Sequence, residues 1–325
     1  MKGEAVVVKH TGSHYLLTQL PKWELFPAVL RGKIRLGSGS TTNPVAVGDK
    51  VLFETESEAM PDLQTPAIID KVLPRKNYII RKSTNLSRQS HIIAANIDRA
   101  FIVVTIAFPE VKLPFLDRLL VTCEVYGVQP VIVLNKIDIF RGEDCEVFEE
   151  MLTRFHEIYE GAGYRIVEVS ARTGQGMSEL KSLCRGVSLF SGVSGVGKSS
   201  LIKAIDPSLT PRVAEISEAH LQGRHTTTFY EMYRIRLNEA ANVEDAYIID
   251  TPGIRGFGLV DVEPEEIALY FPEMLKASAS CRFTPCTHTH EPECAVKQAV
   301  EDGEISPERY NSYLGMLEES GKYRK

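Results

Sequence analysis

No stretch of the 325-residue sequence is long and apolar enough to cross a bilayer; its longest apolar runs, FIVVTIAF and VIVLN, have the length of β-strands. The opening MKGEAVVVKHTGSHYLL mixes acid and base and has no continuous apolar segment ending at a small-residue cleavage site. A secretory signal is therefore not expected, and the cytoplasm is the expected compartment, with no membrane partner. Excess positive charge is missing as well. With 37 Lys and Arg against 43 Asp and Glu the formal net charge is −6, which argues against a protein that coats nucleic acid non-specifically. There is no internal repeat, no low-complexity segment and no C-x-x-C pair. A monomer is the expectation.

Hydrophobic residues make up 43% and charged residues 25%, which is enough apolar content for two or three ordinary domains. From residue 4 to about 73 short strand-like runs (EAVVVKH, HYLLTQL, AVLRGKIRL, DKVLFET, AIIDKVL) alternate with Gly and Pro and show no helical period. Five strands in so short a span predict a small closed barrel over 1–74. An OB-type, RNA-binding barrel comes first and an SH3-like interaction module is the alternative. Residues 75–95 read as a basic linker: Lys71, Arg75, Lys76, Arg81, Lys82 and Arg88 occur between Lys71 and Ile97 without an acid. Either a solvated linker or a phosphate-contacting segment fits that pattern. Over 96–258 strands alternate with amphipathic helices, the signature of a mostly parallel α/β sheet. The remainder, 259–325, turns to helices and loops around a cysteine cluster and ends in the basic tail GKYRK.

Within the α/β segment, Gly192-Val193-Ser194-Gly195-Val196-Gly197-Lys198-Ser199, followed by Ser200, fits G-x-x-x-x-G-K-[ST] at every fixed position. It sits between an apolar strand and a helix, so its N–H groups and the helix N-terminus can surround phosphate oxygens. Lys198 is placed to reach the outer phosphates, and the Ser199 hydroxyl to hold Mg²⁺. Asn135-Lys136-Ile137-Asp138 closes the strand VIVLN, where the Asp138 carboxylate can accept the N1–H and N2 amine of guanine, a donor pair adenine lacks. Ser170-Ala171, ending YRIVEVS, offers a small turn toward the guanine O6. Asp250-Thr251-Pro252-Gly253 follows AYII, with Asp250 placed for Mg²⁺ and Gly253 for the terminal phosphate. In LQGRHTTTFY one of Thr226, Thr227 and Thr228 closes over the metal, and Thr227 is the choice.

The parts are those of a GTP-hydrolysing enzyme, but their order is base reader, Ser-Ala, phosphate loop, switch, Asp-x-x-Gly. A parallel sheet whose chain ends lie near each other tolerates such a circular permutation. After Gly253 comes Ile254, which cannot orient an attacking water as a glutamine would. His225, in the switch segment, is the candidate to do so; a solvent-facing loop histidine is the alternative. Farther on, CRFTPCTHTHEPECAV spaces Cys281-x4-Cys286-x-His288-x5-Cys294, a donor set suited to a closed, structural Zn²⁺ site, with His290 competing for the fourth place.

Taken together, NKID, SA, GVSGVGKSS, GRHTTT, DTPGIRGFGL, VAVGDKV and the cysteine knuckle resemble the RsgA (YjeQ/YloQ) GTPases over essentially the whole chain. The resemblance implies an OB-fold domain, a circularly permuted P-loop GTPase domain and a mainly helical zinc-binding domain. It also implies a role in late maturation of the bacterial small ribosomal subunit, contact with its rRNA, and GTPase activity stimulated by that subunit. By the same resemblance Cys281, Cys286, His288 and Cys294 hold zinc, Ile254 occupies the hydrophobic position and His225 is the proposed catalyst; the motif reading adds Lys198 and Thr227 to the catalytic set. A GTP-dependent RNA-binding switch in which hydrolysis is incidental is one alternative; a nucleotide-driven membrane or metal-transport factor is the other, disfavoured by the lack of apolar spans and by a metal site that looks structural.

Overall fold

The computed structural model describes residues 2–11, 14–32, 43–56, 60–82, 90–141, 146–209, 230–236, 246–251 and 262–322. Strands β1 (Lys2–Thr11), β2 (His14–Thr18), β3 (Leu25–Leu30), β4 (Lys50–Glu54) and β5 (Ala67–Val72) follow the order β1-β2-β3-β5-β4, and β1 pairs with β4 to close the ring. With β3 and β5 parallel and the other barrel pairs antiparallel, this is the OB-type barrel. Ala5, Val7, Leu17, Phe26, Val51, Phe53 and Ile69 fill its interior. The third strand begins earlier than its sequence pattern suggests, at Leu25, because Pro27 lies inside it and proline argues against a strand in any reading of pattern alone.

Residues 75–95, expected as a linker, carry a β-hairpin instead: β6 (Tyr78–Lys82) pairs antiparallel with β7 (Ser90–Ala95). The apolar pairs Ile79-Ile80 and Ile92-Ile93 bury both faces of this ribbon, and their signal was hidden by the surrounding basic residues. Two of those bases are matched: Arg75 forms a two-pronged contact with buried Asp49 at 2.6 and 2.7 Å, and Lys76 pairs with Asp98.

The α/β portion contains β8 (Arg99–Val104), β9 (Gln129–Leu134), β10 (Ile166–Glu168), β11 (Gly186–Ser191), β12 (Glu231–Ile235) and β13 (Ala246–Asp250). They lie in the order β10-β9-β8-β11-β13-β12, all parallel except β12. Helices α1 (Leu113–Val125), α2 (Ile137–Phe140), α3 (Glu146–Gly161), α4 (Met177–Leu183) and α5 (Lys198–Ile205) join them. A strand covered on both faces must be apolar at consecutive positions, as FIVV is: Ile102 and Val104 enter one core, Phe101 and Val103 the other. β1 obeys the same rule. Ala5 and Val7 face the barrel, whereas Val6 and Val8 join the larger core, and the Lys9–Glu231 register pair makes barrel and α/β sheet one eleven-stranded sheet.

The C-terminal part holds a 3-10 helix (Pro264–Tyr270), α6 (Pro272–Ser278), α7 (Ala295–Glu301) and α8 (Pro307–Lys322). Ile267, Phe271, Met274, Val296 and Tyr313 form its core together with Val121 of α1. At this seam Arg309 is fully buried and donates to Asp117 at 2.8 Å and to Glu273 at 2.7 and 3.1 Å, its guanidinium lying over the Phe271 ring. No helix of the described residues is long and apolar enough to cross a membrane.

Removing Arg309 strands two carboxylates away from water. Arg309→Leu is expected to destabilise the protein by about 3–5 kcal/mol, the usual cost of breaking a buried ion pair from one side. Urea unfolding measures it, and hydrogen exchange should show α1 and α8 losing protection together.

Candidate functional site

The C-terminal ends of β9, β10, β11 and β13 bring Asn135, Ser170, Gly192 and Asp250 to one edge of the sheet, where open α/β sheets bind ligands. Behind β11 the loop Gly192–Gly197 turns sharply into α5. Gly192 (φ 150°) and Gly197 (φ 96°) need glycine for space as well as for backbone angle. A Cβ on the first would run into the Val103 carbonyl, and one on the second into the Asn135 amide. Val196 is fully buried and anchors the loop, while Ser194 and Gly195 are exposed and Ser199 is half-buried. Lys198 Nζ reaches back to the Gly192 and Val193 carbonyls at 2.8 and 3.0 Å, so the ammonium sits inside the curl of the loop.

Asn135 ties this loop to its neighbours. Its Nδ2 donates to the Val196 carbonyl at 2.8 Å, and its Oδ1 accepts from the Ala171 N–H at 3.4 Å. Lys136 takes a left-handed backbone (φ 66°) and its ammonium is held by the Phe108 carbonyl. Ile137 is buried and fixes the start of α2, so Asp138 projects from that helix's first turn. Arg172 contacts Asp138 Oδ2 at 2.6 Å. The Ser170 hydroxyl and the Arg172 guanidinium hold the Asp138 carboxyl below the usual carboxylate range against its partial desolvation, so it is an ion at neutral pH. Ser170 itself is buried, and its Oγ accepts from the Thr173 N–H at 3.1 Å, shaping the turn. Asn135, Lys136, Asp138, Ser170, Ala171, Arg172, Gly197 and Ser200 surround a cavity of about 390 Å³.

Asp250, at the end of β13, is 8% exposed, and its Oδ1 has no hydrogen-bond partner among the described residues. Burial pushes its carboxyl up to about 6, opposed by the nearby Lys198 ammonium; burial in turn lowers Lys198, opposed by Asp250. Next to it, the Thr251 hydroxyl donates to the Phe190 carbonyl at 2.7 Å and locks the end of β13 to β11. Gly253, Ile254, His225 and Thr226, Thr227 and Thr228 lie outside the described residues.

A second constellation occupies the C-terminal part. The ligand atoms of Cys281, Cys286, His288 and Cys294 all lie within 4.8 Å of one another. Cys281 and Cys286 Sγ are 4.0 and 3.9 Å from Cys294 Sγ, and His288 Nδ1 is 3.7 and 3.4 Å from Cys281 and Cys294. Tetrahedral zinc with Zn–S bonds of about 2.3 Å requires edges of roughly 3.8 Å between sulfurs, so the donors fit such an ion. Burial and the adjoining Cys294 and Cys281 sulfurs push the Cys286 thiol up to about 12, a cost that a bound dication reverses. His290 is exposed and bonded to Thr289, which leaves buried His288 as the imidazole of the set. Tyr310 and Tyr313 donate to the His288 and Thr287 carbonyls, each at 2.6 Å, and Glu291 accepts from the Thr287 and Thr289 N–H groups.

Sequence pattern missed Arg172, whose signal was its place directly after Ser170-Ala171. It also missed Thr251, which was read only as a spacer in Asp-x-x-Gly, and the Tyr310–Tyr313 pair, for which a linear motif offers no signal.

The sequence model of the family described as RsgA GTPase matches residues 72–260. The small ribosomal subunit biogenesis GTPase RsgA of Bacteroides fragilis (strain YCH46) is 46% identical over 327 aligned positions, covering 100% of this chain and 99% of that one. Its counterpart in Flavobacterium psychrophilum is 45% identical over 96% of this chain and 92% of its own length. Among solved structures, YjeQ from Thermotoga maritima superposes with a TM-score of 0.76 at 34% identity, covering 98% of this chain and 99% of that one. YloQ, described as a circularly permuted GTPase, superposes at 0.71 with 26% identity over 100% of this chain and 96% of its own. Full-length likeness, a permuted order of loops around one sheet edge and a Cys3His cluster in the C-terminal part agree: the chain belongs to the RsgA family of circularly permuted GTPases.

Proposed function

We propose that this GTPase acts in late maturation of the small ribosomal subunit, docks on the subunit and its rRNA, and hydrolyses GTP faster when docked. The observation that carries the chemistry is the Asn135 bridge, which holds a guanine-type loop and a glycine-rich loop in one cavity although the chain visits them in reverse order. The role in subunit biogenesis is supported by full-length relatives that bear that name. A cytoplasmic location and a monomeric state go with it.

In this reading the N–H groups from Gly192 to Ser200 surround the phosphates, and Lys198 exchanges its two loop carbonyls for phosphate oxygens. Asn135, Lys136, Ile137 and Asp138, with Ser170 and Ala171, take the guanine. Ser199, Thr227 and Asp250 would hold Mg²⁺, and the buried Asp250 Oδ1, which has no hydrogen-bond partner among the described residues, suits that task. Bound Mg²⁺ neutralises phosphate charge. Gly253 meets the terminal phosphate, and His225 positions water where Ile254 cannot. Zn²⁺ at Cys281, Cys286, His288 and Cys294 is structural, because four protein donors leave no open position.

GTP turnover by wild type and His225→Ala, with and without purified small or large subunits, tests the whole reading. Small subunits alone should accelerate the wild type, and His225→Ala should lose most of that acceleration while its nucleotide affinity changes little. A mutant stimulated as strongly as wild type returns His225 to an ordinary loop residue; a wild type indifferent to subunits removes the proposed partner.

Base choice is read at Asp138. Asp138→Asn should weaken GTP binding by at least about 2 kcal/mol, since it breaks charge-assisted hydrogen bonds, and should admit xanthosine nucleotides. Equilibrium titration with both nucleotides checks this.

Elemental analysis of purified protein should find about one zinc per chain. Cys286→Ser and Cys294→Ser should lose the metal and lower the thermal midpoint of the C-terminal part. Active, folded protein without zinc would contradict the assignment.

A further inference from the structure

The barrel and the nucleotide edge are closer in hydrogen-bond terms than their places in the sequence suggest. In the antiparallel β1–β12 pairing Lys9 is opposite Glu231; in the antiparallel β12–β13 pairing the same Glu231 is opposite Asp250. Asp250 in turn lies beside Phe190 on β11, two residues before Gly192. One row of backbone therefore runs Lys9, Glu231, Asp250, Phe190 across four strands. Directly opposed residues in antiparallel strands project to the same face, so Lys9, Glu231 and Asp250 share one.

The link at the barrel end is well made. Lys9 Nζ lies 2.8 Å from Glu231 Oε2, and the two side chains are only 17% and 26% exposed. The Tyr233 hydroxyl also donates to that oxygen, at 3.4 Å. Around it a chain of rings joins three units: His10 of β1 stacks with Tyr15 of β2 at 6.1 Å, His10 lies 5.9 Å from His91 of the hairpin, and His91 lies 6.2 Å from Tyr230, just before β12. At the other end Asp250 Oδ1 has no hydrogen-bond partner among the described residues, and the backbone at Asp250 is held on both sides, by Phe190 of β11 and Glu231 of β12. β11 is fixed within the parallel sheet; β12 is the neighbour that the barrel holds.

We infer that Glu231 is a positioning residue for Asp250, and that the Lys9–Glu231 ion pair makes the metal-binding end of β13 sensitive to force on the barrel. Docking of the barrel is then felt at Mg²⁺ through one rung of the sheet. The inference rests on the reading of Asp250 as the magnesium carboxylate and of the small subunit as the docking partner. A pair that only glued two domains together would contribute to stability and leave metal dependence alone.

Full-length Lys9→Met, Glu231→Gln and the charge-swapped double variant Lys9→Glu/Glu231→Lys are compared with wild type. The readouts are the Mg²⁺ concentration that half-saturates GTP hydrolysis, the rate ratio with and without purified small subunits, and the urea midpoint. Each single change should raise the half-saturating Mg²⁺ by about threefold to tenfold and lower the subunit-induced ratio by a similar factor, the range for a broken coupling contact. The swap should restore both. If a single variant folds poorly, Lys9→Arg keeps the charge and should stay within about twofold of wild type on both readouts, as thermodynamic coupling through charge demands. Wild-type Mg²⁺ dependence in folded single variants, or a folded swap that restores the midpoint but neither readout, overturns the inference. A wild type that ignores subunits but shows the Mg²⁺ shifts would instead overturn the docking partner and leave the Glu231–Asp250 link standing.

Discussion

The carboxamide of Asn135 is the contact on which the rest of the site is arranged. One end donates to the Val196 carbonyl in the glycine-rich loop, and the other accepts from the Ala171 N–H, so loops following β9, β10 and β11 share a single buried side chain. That side chain is also why Gly197 carries no Cβ: the amide fills the space one would need. Such contacts run across the sheet and are indifferent to the order in which the chain supplies the strands. A circular permutation therefore leaves them intact while changing what is attached before the first strand and after the last.

Permutation puts the attached parts where they matter. The barrel enters through β1, which buries Ala5 and Val7 in its own interior and Val6 and Val8 in the neighbouring core, and which pairs with β12 beside Asp250. The metal-capable C-terminal part is pinned to the α/β unit by Arg309, which bridges Asp117 of α1 and Glu273 of α6 inside a cage of Phe271, Tyr159 and Tyr164. A fully buried arginine needs its charge matched and its donors occupied, and Asp117 and Glu273 supply both here. The α/β unit is thus joined to the barrel by backbone pairing and shared apolar packing, and to the helical unit by the Arg309 ion pairs and an apolar core that includes Val121.

Within that frame the electrostatics are mutually dependent. Lys198 and Asp250 are both largely withdrawn from water, and each limits the shift that burial imposes on the other. Lys198 meanwhile rests on two loop carbonyls, so its ammonium is held inside the curl of the glycine-rich loop beside the Asp250 carboxyl. In the Cys3His cluster the ligand atoms of Cys281, Cys286, His288 and Cys294 lie within 4.8 Å of one another, an arrangement that could hold a metal ion.

Local chemistry made much of this legible in the sequence. Gly192–Ser199, Asn135–Asp138, Ser170-Ala171 and the cysteine spacing are each constrained by a turn, a strand end or a ligand geometry that only certain residue types satisfy, and each lies where its pattern indicated. The alternation of apolar strands and helices fixed the α/β class because a doubly covered strand must be apolar throughout. Tertiary structure alone decided the rest. The Ile79–Ile80 and Ile92–Ile93 pairs became a hairpin because neighbouring cores cover them, and His288 rather than His290 faces the thiols because Tyr310 and Tyr313 fix the knuckle's backbone. The row Lys9–Glu231–Asp250 joins residues 222 and 19 positions apart, and a register between distant strands is set by which faces must be buried together, which no local pattern encodes.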